Sequence, residues 1–154
     1  TRYPLVTGVQ TCALPIYISS SVYFSSIDTA ENKKFLDDYQ KRFPDGPVVS
    51  ADAEASFIAG RLLSDALAMT DSDQIENVRR AAIKSKIVAP QGRVKIDPQT
   101  LHSYLTPRIG ISNRDGHFDI LLQASAPARP DPYLVDSSPR FAPEQPASWL
   151  RVVK

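Results

Sequence analysis

The stretch Tyr23-Phe24-Ser25-Ser26-Ile27-Asp28-Thr29 joins two segments of different period. The chain enters it through Tyr17–Phe24 (YISSSVYF), where Ile18, Ser20, Val22 and Phe24 share one face and Tyr17, Ser19, Ser21 and Tyr23 the other, the pattern of a strand. It leaves through Ala30–Phe43 (AENKKFLDDYQKRF), where Phe35, Leu36, Tyr39 and Phe43 recur at helical spacing and predict a buried stripe. Asp28 and Glu31 have capping-box spacing, and Thr29 is the competing N-cap. Ligand sites of α/β proteins lie at such strand-to-helix switches, outside the carboxyl ends of strands. Tyr23, Phe24, Ser25 and Ser26 place aromatic faces and hydroxyls at one such end.

Downstream, Pro44-Asp45-Gly46-Pro47 stops the first helix, and Ser50 caps a second over Ala51–Met69. Phe57, Ile58, Leu62, Ala66 and Met69 form its apolar face, with close packing expected around Gly60. Asp52 and Glu54 fall in the first turn, where the helix dipole favours negative charge. A third helix is predicted from Ser72 to about Lys86, with Ile75, Val78, Ala82 and Ile83 inward. The period then changes. Gly92–Asp97 alternates strictly, and Arg108–Ser112 and His117–Gln123 form a hairpin around Asn113-Arg114-Asp115-Gly116.

The 154 residues suggest a single domain. With 18 basic and 17 acidic side chains, no stretch collects the positive charge of a nucleic-acid groove. No apolar run approaches the roughly 20 residues needed to cross a membrane. Six of the 13 prolines lie at or after Pro127, which predicts an irregular tail over residues 137–154. Residues 1–16 (TRYPLVTGVQTCALPI) contain a stretch resembling a translated sequencing adapter, and they are set apart from the fold, with a real N-terminal strand as the alternative. Cys12, the single cysteine, lies inside them, so residues 17–154 offer neither a disulfide nor a thiol nucleophile.

Catalytic patterns are absent. His102 and His117 have no second ligand at zinc spacing, Ser25 and Ser26 lack a nucleophile-elbow setting, and neither glycine-rich phosphate loop occurs. No metal, no cofactor and no catalytic residue is expected.

The segments YFSSIDT (23–29), SADAEASF (50–57), APQGRVKID (89–97), HSYLTPRI (102–109), DGHF (115–118) and RPDPY (129–133) occur in an order that resembles the C-terminal part of amide/urea-type, AmiC-like substrate-binding proteins. The resemblance implies an α/β, partial type I periplasmic-binding-protein fold over residues 17–136, with three helices, one N-terminal strand and a C-terminal antiparallel hairpin region. It implies two lobes that hinge shut on a solute. It places Tyr23, Phe24, Ser25 and Ser26 near the cleft and Glu54 at the helix start facing it. The implied partners are a small neutral amide-like solute (a short-chain amide or urea) and either an ABC transporter permease, in the periplasm, or a regulatory protein, in the cytoplasm. A branched-chain amino-acid-type receptor and a hydrolase are the alternatives. Residues 1–154 alone are expected to bind no amide.

Overall fold

A computed structural model describes residues 17–132 and 150–152. Strand β1 (Ile18–Ser21) is shorter than the alternation predicts. Its antiparallel partner β5 (Arg108–Ser112) is in register from Ile18 opposite Ile111 to Ser21 opposite Arg108. Beyond that point the Val22 carbonyl accepts a hydrogen bond from the Arg108 guanidinium, and the chain bends away from the ladder.

Helix α1 (Ala30–Arg42) is capped by Thr29, whose hydroxyl accepts from the Asn32 N–H. Asp28 instead pairs with Lys33 at 2.6 Å on the surface. Phe35, Leu36 and Tyr39 pack inward as the period predicts, but Phe43 ends the helix as its C-cap and is half exposed. Helix α2 (Ala51–Thr70) starts at Ser50, whose hydroxyl accepts from Ala53 N–H. Ile58, Leu62 and Ala66 are buried, whereas Phe57 and Met69 lie toward solvent. Gly60 is not at a close approach: nothing lies within 4 Å of where its Cβ would be.

Helix α3 (Ile75–Lys84) begins later than Ser72. The Ser72 hydroxyl accepts from Gln74 N–H and Asn77 Nδ2 in a local turn instead of capping the helix. Ile75 at the first turn is 80% exposed, so the inward face is carried by Ala81 with the half-buried Val78, Ala82 and Ile83. The helix stops at Ser85, and Lys86–Ala89 forms strand β2, which the sequence reading left unassigned apart from Lys86 at the expected helix end.

Strand β2 pairs antiparallel with β3 (Gly92–Ile96), and β3 pairs with the short β4 (Ser103–Tyr104). Gly92 sits at φ +117 in the tight β2–β3 turn, a conformation L side chains rarely adopt. Strands β5 and β6 (Phe118–Ala124) form the expected hairpin, with a register shift at Ile109/Gly110. Its loop is locked by Asn113, whose Oδ1 accepts from the N–H groups of Asp115 and His117. Strand β7 (Leu150–Val152) adds to β6, so the tail is not wholly irregular; the last proline, Pro146, lies before it and leaves its backbone free to pair. Trp149 and residues 1–16 fall outside the described residues.

The result is a four-stranded sheet in the order β1-β5-β6-β7 and a three-stranded sheet in the order β2-β3-β4. One core joins Ile58 and Leu62 of α2 to Ile87, Ala89 and Val94 of the smaller sheet. The other gathers Tyr23, Ile27 and Val49 under α1, with Ile120 of β6 packed against them. The Tyr23–Thr29 connection runs between the two sheets.

Candidate ligand-binding site

The Tyr23–Thr29 connection is shaped by one buried amide. Asn32 is 0% exposed, and its Nδ2 donates to the carbonyls of Ser25 at 2.9 Å and Ile27 at 2.8 Å. Its Oδ1 accepts from the Tyr23 hydroxyl at 2.8 Å. Thr29 adds a long-range tie, donating to the Pro90 carbonyl at 2.8 Å. Among the described residues, no buried side-chain oxygen or nitrogen of this turn lacks a partner, as burial demands.

The five residues singled out by sequence separate into two groups. Tyr23 and Phe24 are buried, the first edge-on to Phe35 and the second against the Phe118 ring, with centroids 5.2 Å apart. Burial, with the nearby Glu54 charge adding to it, raises the Tyr23 phenol well above its ordinary value and keeps it protonated. Glu54 is also fully enclosed. Ser25 and Ser26 alone reach open space; the Ser26 hydroxyl also donates to the Phe118 carbonyl.

Two clefts meet at Ser26. The first, of about 500 Å³, lies between α1 and the β5–β6 loop; its polar groups come from Ser25, Ser26, Tyr39, Gln40, Asn113 and His117. It has no Asp, Glu, Lys or Arg in its lining. The second, of about 700 Å³, runs along β6 and the β2–β3 turn and is charged, with Asp28, Arg93, Arg108 and Asp119 on its walls.

Behind these clefts lies a buried charge network. Glu54 accepts from the Gln91 N–H at 3.3 Å and from Gln91 Nε2 at 3.0 Å. The Gln91 carbonyl in turn accepts from Arg108 Nη2 at 2.8 Å. Arg108 also donates to Thr106 O and to Gln123 Oε1, so its fork is spent on the protein. Burial raises the Glu54 carboxyl above its ordinary range, opposed by the Gln91 hydrogen bonds and by Arg108. Burial likewise lowers Arg108, opposed by Glu54. Gln91 Oε1 is buried without a partner among the described residues.

Asn32, Gln91, Arg108 and Asn113 were not singled out by sequence reading. Asn113 carries a local signal, since an Asn opening a hairpin loop commonly accepts from the backbone two residues on. Asn32 acts within nine residues, on Tyr23, Ser25 and Ile27, but as a buried side chain that the helical charge pattern does not mark, and Gln91 and Arg108 act across separations that no short pattern encodes. Among the described residues no cluster of His, Cys, Asp and Glu could hold a metal ion, and no helix is long and apolar enough to cross a membrane.

Comparison with known proteins places this geometry. The chain is 25% identical over 138 residues to a protein named limonene hydroxylase from Geobacillus stearothermophilus, a match that takes in 90% of this chain and 25% of that one. A solute-binding protein of an ABC transporter from R. palustris, solved in complex with 4-hydroxybenzoate, is 26% identical with a TM-score of 0.65, over 77% of this chain and 33% of that one. An ABC-type branched-chain amino acid transporter protein from Rhodopseudomonas palustris is similar in fold, at 18% identity and a TM-score of 0.57, over 75% of this chain and 30% of that one. This chain thus spans between a quarter and a third of each of these relatives. A family model described as a periplasmic binding protein domain matches residues 6–139, including most of the stretch set apart by sequence. The chain belongs to the periplasmic binding protein domain family.

Proposed function

We propose that this chain is part of a solute receptor that binds a small, neutral, amide-like molecule between two lobes, without chemical turnover, and delivers it to an ABC transporter from the periplasm. The observation that carries the reading is the cleft at Ser25 and Ser26, whose lining holds no Asp, Glu, Lys or Arg. Hydroxyl, phenol and carboxamide groups line it together with apolar Leu36, Val48 and Val49. Such a surface satisfies the donors and acceptors of an amide without a charge to pair. Ser25 and Ser26 are the direct contacts in this reading. Tyr23, Phe24 and Glu54 support the wall from behind, since each is buried.

A second reading is a small organic acid. It is favoured by the 4-hydroxybenzoate bound to the R. palustris relative and by Arg93 on the wall of the larger cleft. A branched-chain amino acid belongs to the same reading. The regulatory-sensor role has less support, since both solved relatives described above are transporter proteins. The name of the Geobacillus relative brings no activity with it, because this chain covers a quarter of that protein.

Calorimetry with acetamide, urea, 4-hydroxybenzoate and leucine tests these readings. The proteins are the chain alone and the chain joined to the N-terminal part of the R. palustris relative. Acetamide or urea binding to the joined protein, weakened by Ser25→Ala/Ser26→Ala, is the expected result. Binding of 4-hydroxybenzoate or leucine alone favours the second reading, and no binding by any of the four overturns both.

A further inference from the structure

We propose that the solvent face of the β2-β3-β4 sheet is a docking surface for an acidic segment of a protein partner. The register puts Lys86 directly opposite Lys95, and Lys95 opposite Tyr104. One pair further along, Val88 lies opposite Arg93 on the same face. Like charges placed directly opposite across strands are destabilising, so this arrangement works against the fold that carries it.

On α1 the lysines are paired with acids: Lys33 with Asp28, Lys34 with Asp38 and Lys41 with Asp37, each at 2.6 Å. No such pair is found for Lys86, Arg93 or Lys95 among the described residues. The Lys95 ammonium rests instead over the Tyr104 ring, 4.1 Å from its centroid. Asp97, the residue after β3, is buried and turned inward. It accepts from the N–H groups of Gln99 and Thr100 and from the Tyr104 hydroxyl.

The face is also shaped. A groove of about 380 Å³ runs over it, lined by the three cations, Val88, Tyr104 and Pro127, with no acidic residue among its lining. Val88 is 56% exposed there. Cations around a recessed apolar floor suit carboxylate side chains carried on a peptide backbone, whose apolar neighbours enter the groove. A bilayer surface matches the charge but cannot enter the recess.

The proposal does not depend on the identity of the solute. Lys86 and Lys95 are the residues to change, because Arg93 also reaches the charged cleft. The probe is a fluorescein-labelled poly-glutamate peptide, followed by fluorescence anisotropy with the 154-residue chain. The comparison variant is Lys33→Gln/Lys41→Gln, which removes the same charge from α1. Lys86→Gln/Lys95→Gln is expected to weaken binding about ten-fold or more, the comparison variant by less than roughly two-fold. Lys86→Arg/Lys95→Arg is expected to keep binding, which separates loss of charge from loss of fold. Equal weakening by the two glutamine variants overturns the proposal, as does loss of binding in the arginine variant. Binding to phosphatidylglycerol vesicles without binding to the peptide also overturns it.

Discussion

Arg108 Nη1 lies 2.6 Å from the carbonyl oxygen of Val22, eighty-six residues away in sequence. The same guanidinium reaches Gln91 O through Nη2, so one side chain ties the end of β1 to the β2–β3 turn and thereby one sheet to the other. Arg108→Lys keeps the charge but loses the fork and should cost about 1–3 kcal/mol. Arg108→Met leaves three carbonyls and the Glu54 carboxylate uncompensated, and should cost about 3–5 kcal/mol. Urea denaturation followed by circular dichroism measures both, and equal costs would show that the forked hydrogen-bond geometry, not the charge, is what matters.

Glu54 gives the fold a pH dependence of unusual sign. Its carboxyl is raised from 4.5 in the folded chain, so its contribution is fully present below that value and is lost as pH rises through the raised one. Asp97, held down at about 2 chiefly by the Thr100 N–H, behaves oppositely: its contribution stands above 3.8 and is lost as pH falls toward 2. The two windows do not overlap. As pH rises above about 4.5 the urea midpoint of the wild type should therefore fall relative to Glu54→Gln, which has no carboxylate to ionise. A constant difference between the two proteins across that window would contradict the buried, raised carboxyl.

The Tyr23–Asn32 hydrogen bond should be visible as coupling. Tyr23→Phe alone should cost about 1 kcal/mol, and Asn32→Leu about 3 kcal/mol or more, because the latter strips partners from Ser25 O, Ile27 O and the phenol together. In the Asn32→Leu background the phenol is already unpartnered, so Tyr23→Phe should cost less. A double-mutant cycle reads the difference, and a coupling near zero would mean that the bond does not form in solution.

Two glycines should respond with opposite signs. A Cβ at Gly60 meets nothing, so Gly60→Ala should raise stability by about 0.5–1 kcal/mol. A Cβ at Gly110 would come within 2.9 Å of Phe24 Cζ and 3.2 Å of Phe118 Cβ, displacing the stacked pair. Gly110→Ala should therefore lower stability by about 1–3 kcal/mol, and thermal melts of the two variants should bracket the wild type.

What could be read in advance was what is encoded within a few residues. Ser50 at the start of α2 and the Asn113–Gly116 loop announce themselves, because caps and turns are satisfied locally. The three helices and the hairpin followed from such signals, whereas the partial α/β fold that joins them came from the family resemblance. Strand β2 was missed because KIVA has four residues, too few for an alternation to stand out, and its first lies at the expected end of the preceding helix. Ile75 was placed inward by that helix's apolar period, although it occupies the first turn, before the helix meets the sheet. The network of Glu54, Gln91 and Arg108 had no signature at all. Glu54 sits where any helix accepts an acid, and its partner lies thirty-seven residues on. Burial of a charge is a property of the assembled fold, and no window of sequence contains it.

The β1 strand has a further consequence, for the chain as material. It is the outer member of its sheet among the described strands, and three of its four residues are serine. An edge that offers hydroxyls to solvent, with Ile18 as its one apolar side chain, is a poor template for stacking against a copy of itself. Replacing Ser19 and Ser21 by valine would turn the same backbone into an apolar edge, the kind that pairs readily with a copy of itself.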